Sequence, residues 1–316
     1  MQLSEAVDEL LIATRVAGRS ERTVQDYADK TRRLVDYLGD KEVSQVTLSD
    51  LRRFVDHLGR QTSRFQSHPK REEKSGGLSP ASVAAYVRVV RRLFSFLHEE
   101  GLVDQNPAQR LKVPKPPRDK PKAISSADFQ ALLAAIDADT AVGKRDRALI
   151  LLLADSGCRV GGLVGLEVED VDLERCRMLL KEKGGKLRYG FFSDLTKCAL
   201  LAWLEVRPGN KGNRLFVSLG ARSDAHLTDQ GVREMLKRLK RRAGVKGPVN
   251  PHSFRHGFAR EYLSNGGNLA SLADTLGHSN VNVTWQAYAV FTTDELKAAH
   301  GRYSPVARLE RTRVLS

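Results

Sequence analysis

Four prolines fall within the basic segment 111–122, Leu-Lys-Val-Pro-Lys-Pro-Pro-Arg-Asp-Lys-Pro-Lys, and no helix or central strand can run through it. Each proline removes a backbone donor and pushes the preceding residue toward extended geometry, so the stretch reads as a stiff interdomain linker. The chain is thereby divided into an N-terminal part, 1–112, a linker, 113–122, and a C-terminal part, 123–316. At 316 residues there is enough chain for two ordinary cores. The linker cations, Lys115 and Lys120 among them, suit passage along a phosphate backbone, and a merely solvated spacer is the plainer alternative.

The N-terminal part reads as helices. Leu3, Val7, Leu10 and Leu11, then Val24, Tyr27, Leu34, Val35 and Leu38, each fall on one side of a 3.6-residue period, and Leu51, Phe54, Val55 and Leu58 supply a third face. A polar loop over 61–77 precedes Ser79-Pro80, a cap followed by a first-turn proline. The long helix that follows buries Val83, Val87, Val90, Phe94 and Leu97 and ends near Gly101 in a left-handed cap. Arg88, Arg91 and Arg92 lie off that stripe. A solvated face is the plain reading for them.

In the C-terminal part, Ser125 or Ser126 caps a helix, and an apolar helix over 147–155 ends at Ser156-Gly157, which turns the chain into Arg159. Apolar runs at 177–180 and 187–192 flank Glu182-Lys-Gly-Gly-Lys186 and predict a hairpin with Lys183 at its turn; Lys181 and Lys186 are its neighbours. Pro251 opens a helix on which His252, Arg255 and His256 share one face, with Phe254 and Phe258 packed inward. Asn268 caps a further helix that Gly277 ends, and Val281, Val283 and Trp285 are expected to anchor the segment before Tyr288. The fold class is mainly α with a small antiparallel β-sheet.

Composition narrows the function. A formal net charge of +14 favours a polyanionic partner, since each neutralised phosphate releases condensed counterions. No basic amphipathic anchor and no bilayer-length apolar run occurs, so a membrane partner is not expected. The acidic N-terminus does not read as a secretory signal, and a cytoplasmic protein is expected. Cys158, Cys176 and Cys198 form no Cys-x-x-Cys pair, which argues against a disulfide framework or a zinc site. His252 and His256 at i, i+4 lack the Glu of His-Glu-x-x-His, and Arg255 between them would repel a dication. No metal or other cofactor is expected.

Arg159, Lys183, His252, Arg255 and His278 instead form a scattered set of cations and imidazoles that closes on Tyr288. A phosphodiester gains charge as it is attacked, and arginine forks, an ammonium and imidazoles stabilise that charge. A phenol beside such a cluster can become the nucleophile. Tyr262 reads as core on the Arg255 helix, and Tyr303 lies beyond another predicted helix.

These motifs, Ser156-Gly-Cys-Arg159, Pro251-His-Ser-Phe-Arg-His256 and Leu276-Gly-His-Ser279 with a tyrosine ten residues after His278, resemble the tyrosine recombinases of the phage integrase family, including Xer-type recombinases and transposon integrases. The resemblance extends over nearly the whole chain. It implies an N-terminal helical core-binding (SAM-like) domain and a C-terminal catalytic domain that form a C-shaped clamp on DNA, with Arg88, Arg91 and Arg92 as candidates for contact with DNA backbone or major-groove bases. It also implies site-specific recombination through a 3′-phosphotyrosyl intermediate, without metal or ATP. Arg159 and Arg255 would clamp the phosphate, with His252 a hydrogen-bond donor or proton shuttle on it and His278 a further donor. Lys183 would protonate the departing 5′ oxygen, with Lys181 and Lys186 as nearby rivals for that role. The partners implied are double-stranded DNA with inverted-repeat sites and further copies of the chain, a dimer on each site and a tetramer in the synapse. A bacterial or phage protein working at the nucleoid fits this picture. The C-terminal tail could pack on its own domain or on a neighbour. In place of the family's usual acid three residues after the first arginine stands Gly162, preceded by Gly161. That departure keeps two alternatives open: a DNA-binding regulator on a degenerate recombinase fold, or topoisomerase IB-like nicking and closing.

Overall fold

A computed structural model describes residues 1–64, 74–115, 122–181, 185–209, 212–219, 226–277, 280–288, 293–304 and 306. The chain clusters into two units, Met1–Asp119 and Lys120–Ser316.

The first unit consists of α1 (Leu3–Val16), α2 (Glu21–Leu38), α3 (Leu48–Arg60) and α4 (Pro80–Glu99). Side-chain oxygens set the helix starts: Ser20 accepts from the Thr23 amide, Thr47 from Asp50 and Ser79 from Ser82. The Asp50 carboxylate returns a bond to the Thr47 amide and receives the Lys41 ammonium, which together hold its pKa at about 2. Val83, Val87, Val90, Phe94 and Leu97 of α4 are buried with Leu10, Leu34, Leu51 and Phe54 in one core. Gly101 takes the left-handed conformation just past the end of α4. Within the expected loop over 61–77, a short antiparallel pair forms, β1 (Ser63–Arg64) with β2 (Lys74–Ser75). Hydrophobic alternation could not announce strands of two residues each.

The second unit begins with α5 (Ser126–Ala134), capped by Ser125, and α6 (Ala141–Ser156), capped by Thr140. Helix α6 starts six residues before the expected 147. Its charged first turns are accommodated because Arg145, buried, binds the Asp146 carboxylate and the Val217 carbonyl. Next come α7 (Val160–Gly165) and a three-stranded antiparallel sheet, β3 (Val171–Asp172), β4 (Arg177–Lys181) and β5 (Leu187–Phe191), in the order β3-β4-β5. Leu179 pairs with Tyr189, and Met178 and Leu180 face inward, opposite Gly190 and Arg188. The remaining helices are α8 (Asp194–Val206), α9 (Asp229–Arg242), α10 (Pro251–Ser264), α11 (Leu269–Leu276), α12 (Val281–Tyr288) and α13 (Thr293–Tyr303). Among the described residues, no helix is long and apolar enough to cross a membrane.

The apolar run 148–153 of α6 is buried on every side, so this helix forms the axis of the second core, against Trp203 of α8 and Phe254 of α10. Asp155 fixes the end of α6 to the start of α8 by accepting from the Ser193 amide (2.6 Å), the Ser193 hydroxyl (2.7 Å) and the Thr196 hydroxyl (2.7 Å). Gly157 then terminates α6 at φ 57° and ψ 20°. A Cβ there would lie 2.6 Å from Phe258 Cδ1 and 3.0 Å from Leu276 Cδ2, so α10 and α11 approach this turn as closely as a hydrogen permits.

Gly157→Ala combines a left-handed non-glycine residue with that clash. It is expected to destabilise the second unit by about 1–3 kcal/mol, visible as a lower denaturant midpoint for that unit's transition. An unchanged midpoint would show that the close approach is not needed.

Candidate active site

Three helix ends converge on Arg255. Asn250 and Ser253 form a capping box at the start of α10, with Pro251 in its first turn, and this places Arg255 one turn inside the helix, only 5% exposed. Its fork donates from Nη1 to the Gly157 carbonyl (2.8 Å) and from Nη2 to the Leu276 carbonyl (2.7 Å). Those are the terminal carbonyls of α6 and α11. Both helices end in left-handed glycines, Gly157 and Gly277, and both direct the negative end of the helix dipole at the buried cation. Arg159 leaves the same turn as the residue before α7, half-buried.

His252 lies on the exposed side of α10. Its pKa is lowered, first by partial burial and then by the charges of Arg233, Arg255 and Arg159, with Asp229 pulling the other way. Arg159, Arg255 and His252 are therefore close enough to act on one another electrostatically. Asp229 opens α9 and pairs with Arg233, 3.2 Å between Oδ1 and Nε.

Tyr288 packs at the end of α12 against a small cluster of Ala259, Leu272 and Leu276. Its hydroxyl lies 2.6 Å from His256 Nδ1, with ring centroids 5.5 Å apart. Burial raises the phenol pKa and the charge of Arg255 draws it back. His256 is lowered in turn by burial, His252 and Arg255, so both histidines are held toward the neutral form. The expected anchoring of this helix differs in detail. Val281 and Trp285 are 45% and 57% exposed, Thr284 is buried, and the Val283 side chain lies outside the described residues. Residues 281, 284, 285 and 288 share one helical stripe, and α12 turns the Thr284–Tyr288 edge of it inward, leaving Val281 and Trp285 at its exposed border.

Lys183, His278 and Lys120 lie outside the described residues. Arg88, Arg91 and Arg92 are exposed on α4, with Arg92 bonded to Glu99 at 3.1 Å, and Lys115 is exposed in the segment after it. Gly162 sits over β4, where a Cβ would make ordinary contact with Leu180 Cδ2 at 3.4 Å. No cluster of three or more His, Cys, Asp or Glu suited to a metal occurs among the described residues. Sequence reasoning passed over three residues here. His256 shares a helical face with His252 and Arg255, but its partner lies 32 positions on. Asp229 and Arg233 look like an ordinary i, i+4 surface pair.

The sequence and fold were compared with known proteins. Residues 122–294 match the model of the phage integrase family. The chain belongs to the phage integrase family. A tyrosine recombinase XerC from Oceanobacillus iheyensis is 30% identical over 296 residues, covering 91% of this chain and 92% of the relative. A tyrosine recombinase XerA from Thermococcus kodakarensis is 31% identical over 307 residues, 97% and 98% of the two chains. In fold, this integrase-family chain resembles the Tn1549 transposon integrase in complex with a circular intermediate DNA, at a TM-score of 0.74, 21% identity and coverage of 96% and 100%. XerH recombinase bound to a palindromic difH substrate gives 0.70 at 20% identity, covering 93% of this chain and 83% of that one.

The lowered histidines carry a pH signature. As pH falls from neutral through the ordinary histidine range toward their depressed native values, the unfolded chain binds protons that the native second unit refuses, and stability is lost. Thermal unfolding from pH 7 to pH 5 is expected to show a falling midpoint for this unit, with a shallower fall in the His252→Asn/His256→Asn double variant. An equal slope in the two proteins would contradict the assignment.

Proposed function

We propose that this family member cuts and rejoins DNA at specific sites with Tyr288 as nucleophile, the phosphate being held by Arg159, Arg255, His252 and His278. The observation that carries the reading is the placement of the Tyr288 hydroxyl beside the residue that follows the buried, doubly bonded Arg255. A fork locked onto two helix ends is preorganised, and donors fixed before the reaction stabilise developing charge without reorganising. Lys183 takes the role of the acid for the departing 5′ oxygen on the strength of the family motif.

In the reaction, the phenol oxygen bonds to phosphorus, the bond from phosphorus to the 5′ oxygen breaks, and a 3′-phosphotyrosyl link remains. The energy of the phosphodiester is kept in that link, so the 5′ hydroxyl of another strand can attack it without ATP. Fixed cations supply the charge neutralisation that a divalent ion supplies in other phosphoryl transfers. The finer reading is a dimer on inverted-repeat DNA and a tetramer when two sites meet, serving a mobile element or a chromosome in the cytoplasm. Related proteins bound as a lambda integrase dimer on a core site support the dimer. The net charge of +14 and the exposed Arg88, Arg91 and Arg92 support the duplex as partner.

The test is a duplex selected by this protein from a random pool and nicked so that the cleaved end diffuses away. A covalent adduct is expected with the wild type, none with Tyr288→Phe, and about 10²–10³-fold slower formation with Arg159→Ala. Chelation with EDTA is expected to leave the rate unchanged. An adduct formed by Tyr288→Phe would exclude this nucleophile. Binding with no adduct in the wild type would favour a DNA-binding regulator, and relaxation of supercoils without strand exchange a topoisomerase-like role.

A further inference from the structure

Strand cleavage as proposed gives His256 no chemical step, yet its ring touches the nucleophilic oxygen. Its Nδ1 lies 2.6 Å from the Tyr288 hydroxyl, whereas the His252 ring is one helical turn away, its centroid 6.5 Å from that of His256. The His256 ring neighbours both, at 6.5 Å from His252 and 5.5 Å from Tyr288 between centroids, and His252 feels the charges of Arg159 and Arg233. We propose that His256 is the general base of strand cleavage, taking the Tyr288 proton on Nδ1 as the phenol oxygen attacks phosphorus. The inference rests on the strand-transfer reading and deepens it.

The surroundings suit such a base. A half-buried imidazole flanked by Arg255 and His252 is disfavoured as a cation, so it stands neutral with a lone pair for the phenol. The phenol, itself partly buried, keeps its proton at rest. Transfer before attack is therefore uphill in both partners, and a premature phenolate is avoided. Once the oxygen begins to bond to phosphorus, its affinity for the proton collapses and Nδ1 receives it. The balance is complete: the bond from Tyr288 to phosphorus forms, the bond from phosphorus to the 5′ oxygen breaks, one proton moves to His256, and a second, from Lys183, goes to the 5′ oxygen. In rejoining, the phenol oxygen is the leaving group. The His256 imidazolium, destabilised by its cationic neighbours, returns the proton to it.

Two measurements test this. In the DNA-free wild-type protein, ¹⁵N-histidine NMR is expected to show His256 unprotonated at Nδ1 and protonated at Nε2, with the Nδ1 resonance shifting in Tyr288→Phe. A proton on Nδ1 would overturn the proposal, because the ring could then only donate to the phenol. The second measurement is single-turnover adduct formation on the selected nicked duplex by the wild type, His256→Asn and His256→Ala. Each is prepared with the natural tyrosine and with 3,5-difluorotyrosine in place of Tyr288. Asparagine keeps a polar group near the Nδ1 position but cannot carry the proton. Both variants are expected to be slowed about 10²–10³-fold, the range of general-base effects. The more acidic phenol should recover about tenfold in the variants and little in the wild type. Equal slowing with both phenols would make His256 a positioning residue only, and variants as fast as or faster than the wild type would make the bond a resting contact; either overturns the base. A wild type that forms no adduct would instead sink the strand-transfer reading.

Discussion

The charge of Arg255 is carried into the interior of the second unit, and the surrounding helices end where that charge needs acceptors. A guanidinium removed from water costs several kcal/mol unless its donors are satisfied. Here the carbonyls of Gly157 and Leu276 answer two of them at 2.8 and 2.7 Å, each at the C-terminus of a helix. Charge-assisted bonds of this kind are worth about 1.5–3 kcal/mol each, and the helix dipoles add to them. One side chain thus fastens α6, α10 and α11 at a single point. The neighbouring elements are positioned from there: Arg159 two residues beyond Gly157, and α12 with Tyr288 beyond Gly277.

Concentrating cations at one place has an electrostatic consequence for every titratable group near it. His252 and His256 are pressed toward the neutral form, while the phenol of Tyr288 is raised by burial more than Arg255 lowers it. The site at rest is therefore a set of permanent guanidinium charges surrounded by neutral proton carriers. An incoming phosphate meets charge that is already fixed, and the proton carriers stay uncommitted until the reacting oxygens change their affinities. The Gly162 position is consistent with this economy of acids. A carboxylate acting on His252 comes from Asp229 at the start of α9, a different element from the one that carries Arg159.

What the amino-acid sequence discloses is mostly local backbone chemistry. Ser79-Pro80, Pro251 and Asn268 mark helix starts, and Gly101, Gly157 and Gly277 mark ends, because a side-chain oxygen near an amide, a first-turn proline or a left-handed glycine acts within a few residues. The apolar stripe of α4 was legible for the same reason. Tertiary chemistry was not. The first turns of α6 looked unhelical because the partner that buries Arg145, the Val217 carbonyl, is 72 positions away. Val281 and Trp285 looked like anchors because hydrophobicity is visible in a sequence while the direction of a short helix is not. Helical spacing could group His252, Arg255 and His256, yet it could not say that the first faces solvent, the second lies on two carbonyls and the third meets Tyr288.

The proposed strand cleavage requires Tyr288, and no other tyrosine, to be the nucleophile. Tyr262, the nearest rival on the Arg255 helix, is committed to the Ser271 hydroxyl at 2.9 Å and packs with Phe258. Proteolysis of the covalent protein–DNA adduct, followed by mass spectrometry of the nucleotide-bearing peptide, identifies the residue directly. The modified peptide is predicted to carry the nucleotide on Tyr288. A nucleotide on Tyr262 or Tyr303 would contradict the arrangement around Arg255 from which everything else follows.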